Sequence, residues 1–160
     1  MPIKPGDKMP SGTLTLATND GPQKVSAEEF FKGKKIVLFS VPGAFTPTCD
    51  AKHLPGFVER AAEIRAKGVD TIACMAVNDP FVMKAWGKSQ SCDGKVQMIA
   101  DGNAEYTKAL GLEMDATGFG MGTRGQRFAL IVDDGVVKSV NVEQKGEFKV
   151  SSAESVLEQL

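Results

Sequence analysis

Three apolar runs, at residues 36–39, 69–77 and 96–100, are separated by segments of helical periodicity, and this alternation constrains the fold more than any other feature of the chain. Short runs rich in Val, Ile, Leu and Ala, bounded by turn residues, read as strands buried on both faces; strands alternating with helices read as parallel βαβ units. After the first run, Leu54, Phe57, Val58, Ala61, Ala62 and Ile64 keep a helical spacing that ends at Gly68, with Pro55 expected to kink the helix early. After the second, Asp79-Pro80 opens a helix through Trp86 and Lys88; after the third, residues 103–110 give a short helix ending at Gly111.

The flanking segments complete the pattern. Residues 12–17 and 23–25 predict a hairpin around Asn19-Asp20-Gly21, followed by a small helix over 26–31 with Ser26 as cap and Glu29 three residues on. Residues 127–132 and 136–142, separated by Asp133-Asp134-Gly135, predict a second hairpin, and Ser151-Ser152-Ala153-Glu154 caps a last helix to Leu160. A βαβ crossover followed by a hairpin and a closing helix is the thioredoxin-like arrangement. The expectation is therefore an α/β fold, with a mixed central sheet flanked by helices, an N-terminal hairpin and an inserted strand-helix segment.

With 160 residues, 42% hydrophobic and 24% charged, the chain fits one domain over 1–160. A net charge of −1 without long like-charge runs gives no footprint for nucleic acid or a membrane surface. The opening stretch, Met1 to Asp7, lacks an apolar signal core, and no apolar span reaches membrane length. A cytoplasmic protein is expected, or an organellar one whose transit peptide has been removed. Three cysteines, at 49, 74 and 92, without a C-x-x-C pair, suit a reducing compartment, and a single histidine leaves no set of metal ligands. Neither metal nor cofactor is expected.

Cys49 lies between the first strand and the first long helix, in Val41-Pro42-Gly43-Ala44-Phe45-Thr46-Pro47-Thr48-Cys49. Pro47 suits the first helical position and Thr46 the cap, so Cys49 falls in the first turn, where free backbone N–H groups and the helix dipole favour a thiolate. An isolated cysteine could equally be a small core hydrophobe; the strand-turn-helix setting favours the nucleophile.

The pattern Pro42-x-x-x-Thr46-x-x-Cys49 resembles the peroxiredoxin active-site motif. The strings His53-Leu54-Pro55-Gly56-Phe57, Val77-Asn78-Asp79-Pro80-Phe81-Val82, Arg127-Phe128 and Gly146-Glu147-Phe148 are similar to the type II, peroxiredoxin-five-like branch, over essentially the whole chain. The resemblance implies reduction of hydrogen peroxide and organic hydroperoxides through a Cys49 sulfenic acid. Thr46 would orient the peroxide and also cap the helix, Pro42 would wall the thiolate from water, and Arg127 would stabilise the sulfur anion and the leaving oxygen. Arg124 is the weaker candidate for that last role, and an ordinary surface-paired arginine is the bland alternative for Arg127.

The resemblance also implies a homodimer, for which Phe45, Phe81 and Trp86 could supply an apolar patch. The type II relatives carry a second cysteine at the position of Cys74, a candidate resolving thiol, although its mid-strand surroundings read as those of a buried inert thiol. The animal members place a resolving cysteine near the C-terminus, where this chain reads Val150-Ser151-Ser152. External resolution by glutathione, glutaredoxin or thioredoxin is therefore expected, with a redox relay, sensor or holdase as the alternative function. Cys92 is expected to be exposed in its loop, and His53 to be a structural histidine outside the catalytic set. Gly120-Met121-Gly122-Thr123-Arg124-Gly125 matches G-x-G-x-x-G but precedes a strand, so it is read as a flexible loop at the pocket rim or a plain surface loop, not a dinucleotide site.

Overall fold

The computed structural model describes residues 2–160; Met1 lies outside them. The chain opens with a hairpin of β1 (Thr13–Thr18) and β2 (Gly21–Ser26), then α1 (Ala27–Phe31), whose cap Ser26 accepts from the Glu29 N–H. The apolar runs form β3 (Lys35–Ser40), β4 (Thr71–Ala76) and β5 (Gln97–Ala100). Between β3 and β4 lie α2 (Leu54–Glu59) and α3 (Ala61–Ala66); between β4 and β5 lies α4 (Pro80–Ser89), capped by Asp79. There follow α5 (Glu105–Ala109), a ribbon of β6 (Glu113–Asp115) and β7 (Thr123–Gly125), the hairpin of β8 (Phe128–Asp133) and β9 (Val136–Val142), and α6 (Ala153–Gln159).

Seven strands make one mixed sheet in the order β2-β1-β5-β4-β3-β8-β9. The pairs β3/β4 and β4/β5 are parallel, each joined through a helical crossover, and the remaining pairs are antiparallel. The β8–β9 turn holds Asp134 at φ 49° and Gly135 at φ 78°, the left-handed pair that a tight hairpin needs.

Alternation along β3 divides the core. Val37 and Phe39 face α2, α3, α4 and α6, while Ile36 and Leu38 face α1 and α5. On the first face Phe39 stacks on Phe57 with centroids 4.0 Å apart, a pair that contributes about 0.5–1.5 kcal/mol beyond its burial. That stack fixes the start of α2 against the end of β3, and the segment joining them carries Cys49.

The helix expected over 54–68 is two helices, separated at Arg60, where φ is −102° and ψ is 12°. The break leaves Leu54 and Phe57 on one piece and Ala61 and Ile64 on the other, all buried on the same sheet face. The kink expected at Pro55 takes the form of a π-helical turn over Cys49–His53, closed by the Leu54 N–H on the Cys49 carbonyl. A proline at 55 donates no N–H and crowds the carbonyl of residue 51, so the preceding turn widens. Residues 113–125 are also more ordered than a loop: β6 and β7 pair in register, joined through a 3₁₀ turn over Thr117–Phe119.

Candidate active site

Helical geometry begins at Pro47, directly after Thr46, and Cys49 sits in the first turn as its spacing predicts. Thr46 takes the capping place through its backbone, since its carbonyl accepts the Asp50 N–H at 2.8 Å. Its hydroxyl does not cap. It donates backward to the Gly43 carbonyl at 2.7 Å, closing the 43–46 turn and leaving its oxygen lone pairs as acceptors. Phe45 stands in that turn at φ 62°, a left-handed conformation that costs a non-glycine residue roughly 1–2 kcal/mol. The Ala44 N–H donated to Asn78 Oδ1 at 2.9 Å ties the turn to the segment after β4. On the far side of Cys49, Asp50 Oδ1 accepts from both Trp86 Nε1 and Gln90 Nε2 at 2.8 Å, which anchors the turn carrying Cys49 to α4.

Cys49 is fully buried. Arg127, just ahead of β8, donates Nη2–H to Cys49 Sγ at 3.1 Å and Nη1–H to His53 Nδ1 at 2.8 Å. His53 Nε2 lies 2.9 Å from the Ser151 carbonyl. A guanidinium only donates and a carbonyl only accepts, so the imidazole is the neutral tautomer with its proton on Nε2. Burial first, and the Arg127 charge second, push the His53 pKa down to about 3, which keeps the ring neutral. The Phe148 ring lies 4.9 Å from the His53 ring and 5.8 Å from Arg127 Cζ, within cation–π range.

A cavity of about 500 Å³ opens beside this cluster, with Pro42, Thr48, Arg127, Met114, Phe119 and Glu143 among its lining residues. Arg127 is common to the cavity wall and to the sulfur, so it links solvent-accessible space to the buried thiol. The cluster therefore sets an arginine-bound sulfur beside a partly apolar cavity, with a hydroxyl acceptor at the head of the same turn, an arrangement suited to nucleophilic attack on a weak O–O bond.

The Redoxin family pattern matches residues 4–157. Peroxiredoxin-2B of Arabidopsis thaliana is 53% identical over 160 residues, which is 99% of this chain and 99% of that one. The chloroplastic peroxiredoxin-2E-2 of Oryza sativa subsp. japonica is 53% identical over 163 residues, covering 99% of this chain and 72% of the relative. The crystal structure of reduced Prx3 from Vibrio vulnificus in complex with hydrogen peroxide superposes with a TM-score of 0.94 at 52% identity, covering 98% of each chain. The chain belongs to the peroxiredoxins of the Redoxin family. It is a peroxidase enzyme on a thioredoxin-like fold.

Within this peroxiredoxin, Cys49 and Arg127 meet directly, Thr46 shapes the turn between them and Pro42, and Pro42 stands in the cavity wall. Arg124 serves elsewhere. It donates Nε–H to the Met121 carbonyl at 2.9 Å and Nη1–H to the Pro42 carbonyl at 3.3 Å, bracing the β6–β7 ribbon against the loop that leads from Pro42 to Cys49. His53 is structural in that it is buried, yet it also holds Arg127, a role that sequence reasoning missed. Its offset of four from Cys49 was the available signal, and its partner lay too far along the chain to be seen.

Cys92 is not exposed as expected; only 2% of it reaches solvent. The chain after α4 turns back through Cys92 N–H to the Gly87 carbonyl at 3.0 Å and tucks the thiol into the core. Trp86 likewise contributes nothing to a surface patch, because it is fully buried with its indole N–H on Asp50. Phe45 and Phe81 remain exposed at 52% and 70%.

Proposed function

We propose that this peroxiredoxin reduces hydrogen peroxide and organic hydroperoxides through a sulfenic acid on Cys49, and that external thiols restore the enzyme. The observation that carries the reading is Arg127 Nη2 at 3.1 Å from Cys49 Sγ, on a guanidinium that also faces the cavity. The sulfur anion attacks the terminal peroxide oxygen, an S–O bond forms as the O–O bond breaks, and the electron pair leaves on the alkoxide or hydroxide, which takes a proton from solvent. Arg127 stabilises that leaving oxygen, Thr46 accepts from the peroxide O–H because its own proton is engaged with Gly43, and Pro42 excludes water. Met114 and Phe119 on the cavity wall suit an alkyl group.

A second thiol then attacks the sulfenic sulfur and releases water, and a third returns Cys49 to the thiol. Within the chain neither remaining cysteine suits this step. Burial pushes the Cys74 thiol well above its ordinary range and the Cys92 thiol to about 11, so both stay protonated. Glutathione with glutaredoxin, or thioredoxin, is the reductant we propose. A reducing compartment such as the cytoplasm fits three free thiols, and a homodimer using exposed Phe45 and Phe81 fits the aromatic rim.

Peroxide consumption by wild type, Cys49→Ser, Cys74→Ser and Cys92→Ser, with mass spectrometry after one equivalent of peroxide, tests the reading. Loss of turnover only in Cys49→Ser, with a sulfenic acid or glutathione adduct on Cys49, is expected. A dominant Cys49–Cys74 disulfide together with an inactive Cys74→Ser would overturn external resolution; one oxidation event without turnover on any thiol would favour the relay or holdase.

A further inference from the structure

The end of β9 does something that neither the motif nor the reaction accounts for. Glu143 is 8% exposed, yet its carboxylate accepts from the backbone N–H groups of Lys149, Val150 and Ser151 and from the Ser151 hydroxyl, at 2.7 to 2.9 Å. Burial works to raise this carboxyl, and the four donors outweigh it, holding the group below the usual range. The chain reaches this position by turning at Gly146, where φ is 79°, so that the 149–151 backbone wraps back onto the side chain of a residue that precedes it.

Each donor sits on the segment that presents the Ser151 carbonyl. That carbonyl receives the His53 Nε2–H, and His53 Nδ1 receives Arg127 Nη1. The Glu143 backbone N–H meanwhile donates to the Arg127 carbonyl at 2.9 Å. One residue thus holds Arg127 twice, by its main chain directly and by its side chain through Ser151 and His53. A guanidinium fixed at its backbone and at one nitrogen has little freedom left for the other nitrogen, which is the one on Cys49.

We propose that Glu143 is a positioning residue for Arg127: its buried carboxylate organises the Ser151 carbonyl that orients His53, and so aims Arg127 Nη2 at the reacting sulfur and peroxide. The proposal rests on the reading that Arg127 serves Cys49. Glutamine at 143 keeps the shape but loses the charge that gathers four donors at one carboxylate.

The experiment is a double-mutant cycle of Glu143→Gln and Arg127→Ala, with the rate of peroxide reduction measured beside the rate of Cys49 alkylation by iodoacetamide, which needs no oriented O–O bond. Glu143→Gln is expected to lower the peroxide rate about 10-fold, more than the alkylation rate, and to cost little further in the Arg127→Ala background. If Glu143→Gln does not fold, Ser151→Ala, which removes one donor to the carboxylate, is expected to show the same arginine-dependent loss at about two- to threefold. An equal loss with and without Arg127, or no loss from either variant, overturns the role of Glu143. An Arg127→Ala enzyme as fast as wild type overturns instead the reading on which the proposal rests.

Discussion

Arg127 serves two acceptors from one planar group, His53 through Nη1 and Cys49 through Nη2, and that geometry predicts how substitution will fail. Lysine has a point charge without a fork, so Arg127→Lys cannot keep both contacts and should slow peroxide reduction by a factor on the order of 10², measured by stopped flow. A lysine variant with near wild-type speed would show that charge alone suffices. Thr46 makes a parallel case. Thr46→Val removes both the donor to Gly43 and the acceptor proposed for the peroxide, and should cost roughly 10- to 100-fold, whereas Thr46→Ser should retain most of the rate. A larger loss in Thr46→Ser than in Thr46→Val would assign the role to the methyl group instead.

At the scale of elements, the short ribbon of β6 and β7 presses on the end of β3. A Cβ added at Gly125 would stand 2.9 Å from Ser40 Oγ and 3.4 Å from Thr107 Cγ2. The Ser40 hydroxyl is buried and, among the described residues, has no hydrogen-bond partner. Gly125→Ala should therefore destabilise the protein by about 1–3 kcal/mol through overpacking. Ser40→Ala should be neutral or stabilising by about 1 kcal/mol, because it removes an unpaired buried hydroxyl. Combined, the two should cost less than their sum, since the oxygen that alanine 125 meets is gone. Thermal or urea unfolding of the four proteins checks this; strict additivity would mean that the strand ends adjust independently.

For the whole molecule, the buried neutral His53 sets an acid limit. Its pKa is about 3 in the fold against an ordinary 6.5, so the unfolded chain binds a proton from about pH 6.5 downward while the folded chain refuses it until about pH 3. Stability is complete above that window and falls as pH falls through it, by on the order of several kcal/mol over the full range. Glu143, held below its ordinary range, adds a further loss at the acid end as its carboxylate protonates. In His53→Gln the amide oxygen can accept from Arg127 and its NH₂ can donate to Ser151, with no proton to take up. Its melting temperature should decline less between pH 7 and 4 than that of wild type; parallel declines would place the acid sensitivity elsewhere. Light scattering at tens of micromolar should report a dimer, with Phe81→Glu shifting it toward monomer, and a wild-type monomer would remove the exposed aromatics from that role.

The order of strands and helices was legible because period, cap and turn residues act over a few positions. Pro47, the helical spacing from Leu54 onward and Asp134-Gly135 each express a local steric or hydrogen-bonding preference. The placement of Cys49, the candidate nucleophile, was legible for the same reason, as its strand-turn-helix setting is contiguous. The surroundings of that thiol were decided by the tertiary structure. Arg127 reaches Cys49 across 78 positions, and His53 finds its tautomer through a backbone carbonyl 98 positions away, an atom that carries no side-chain signature at all. Cys92 and Trp86 reversed expectation on the same ground: polar neighbours suggested exposure for Cys92, and an apolar ring suggested a patch for Trp86. Trp86 is buried because α4 lies on the sheet with the indole N–H on Asp50, and Cys92 because the local turn closed by its N–H on the Gly87 carbonyl sets the thiol against the core that α4 and the sheet form together. Local sterics write the elements into the chain, whereas burial and buried hydrogen bonds depend on surfaces that exist only once those elements have packed.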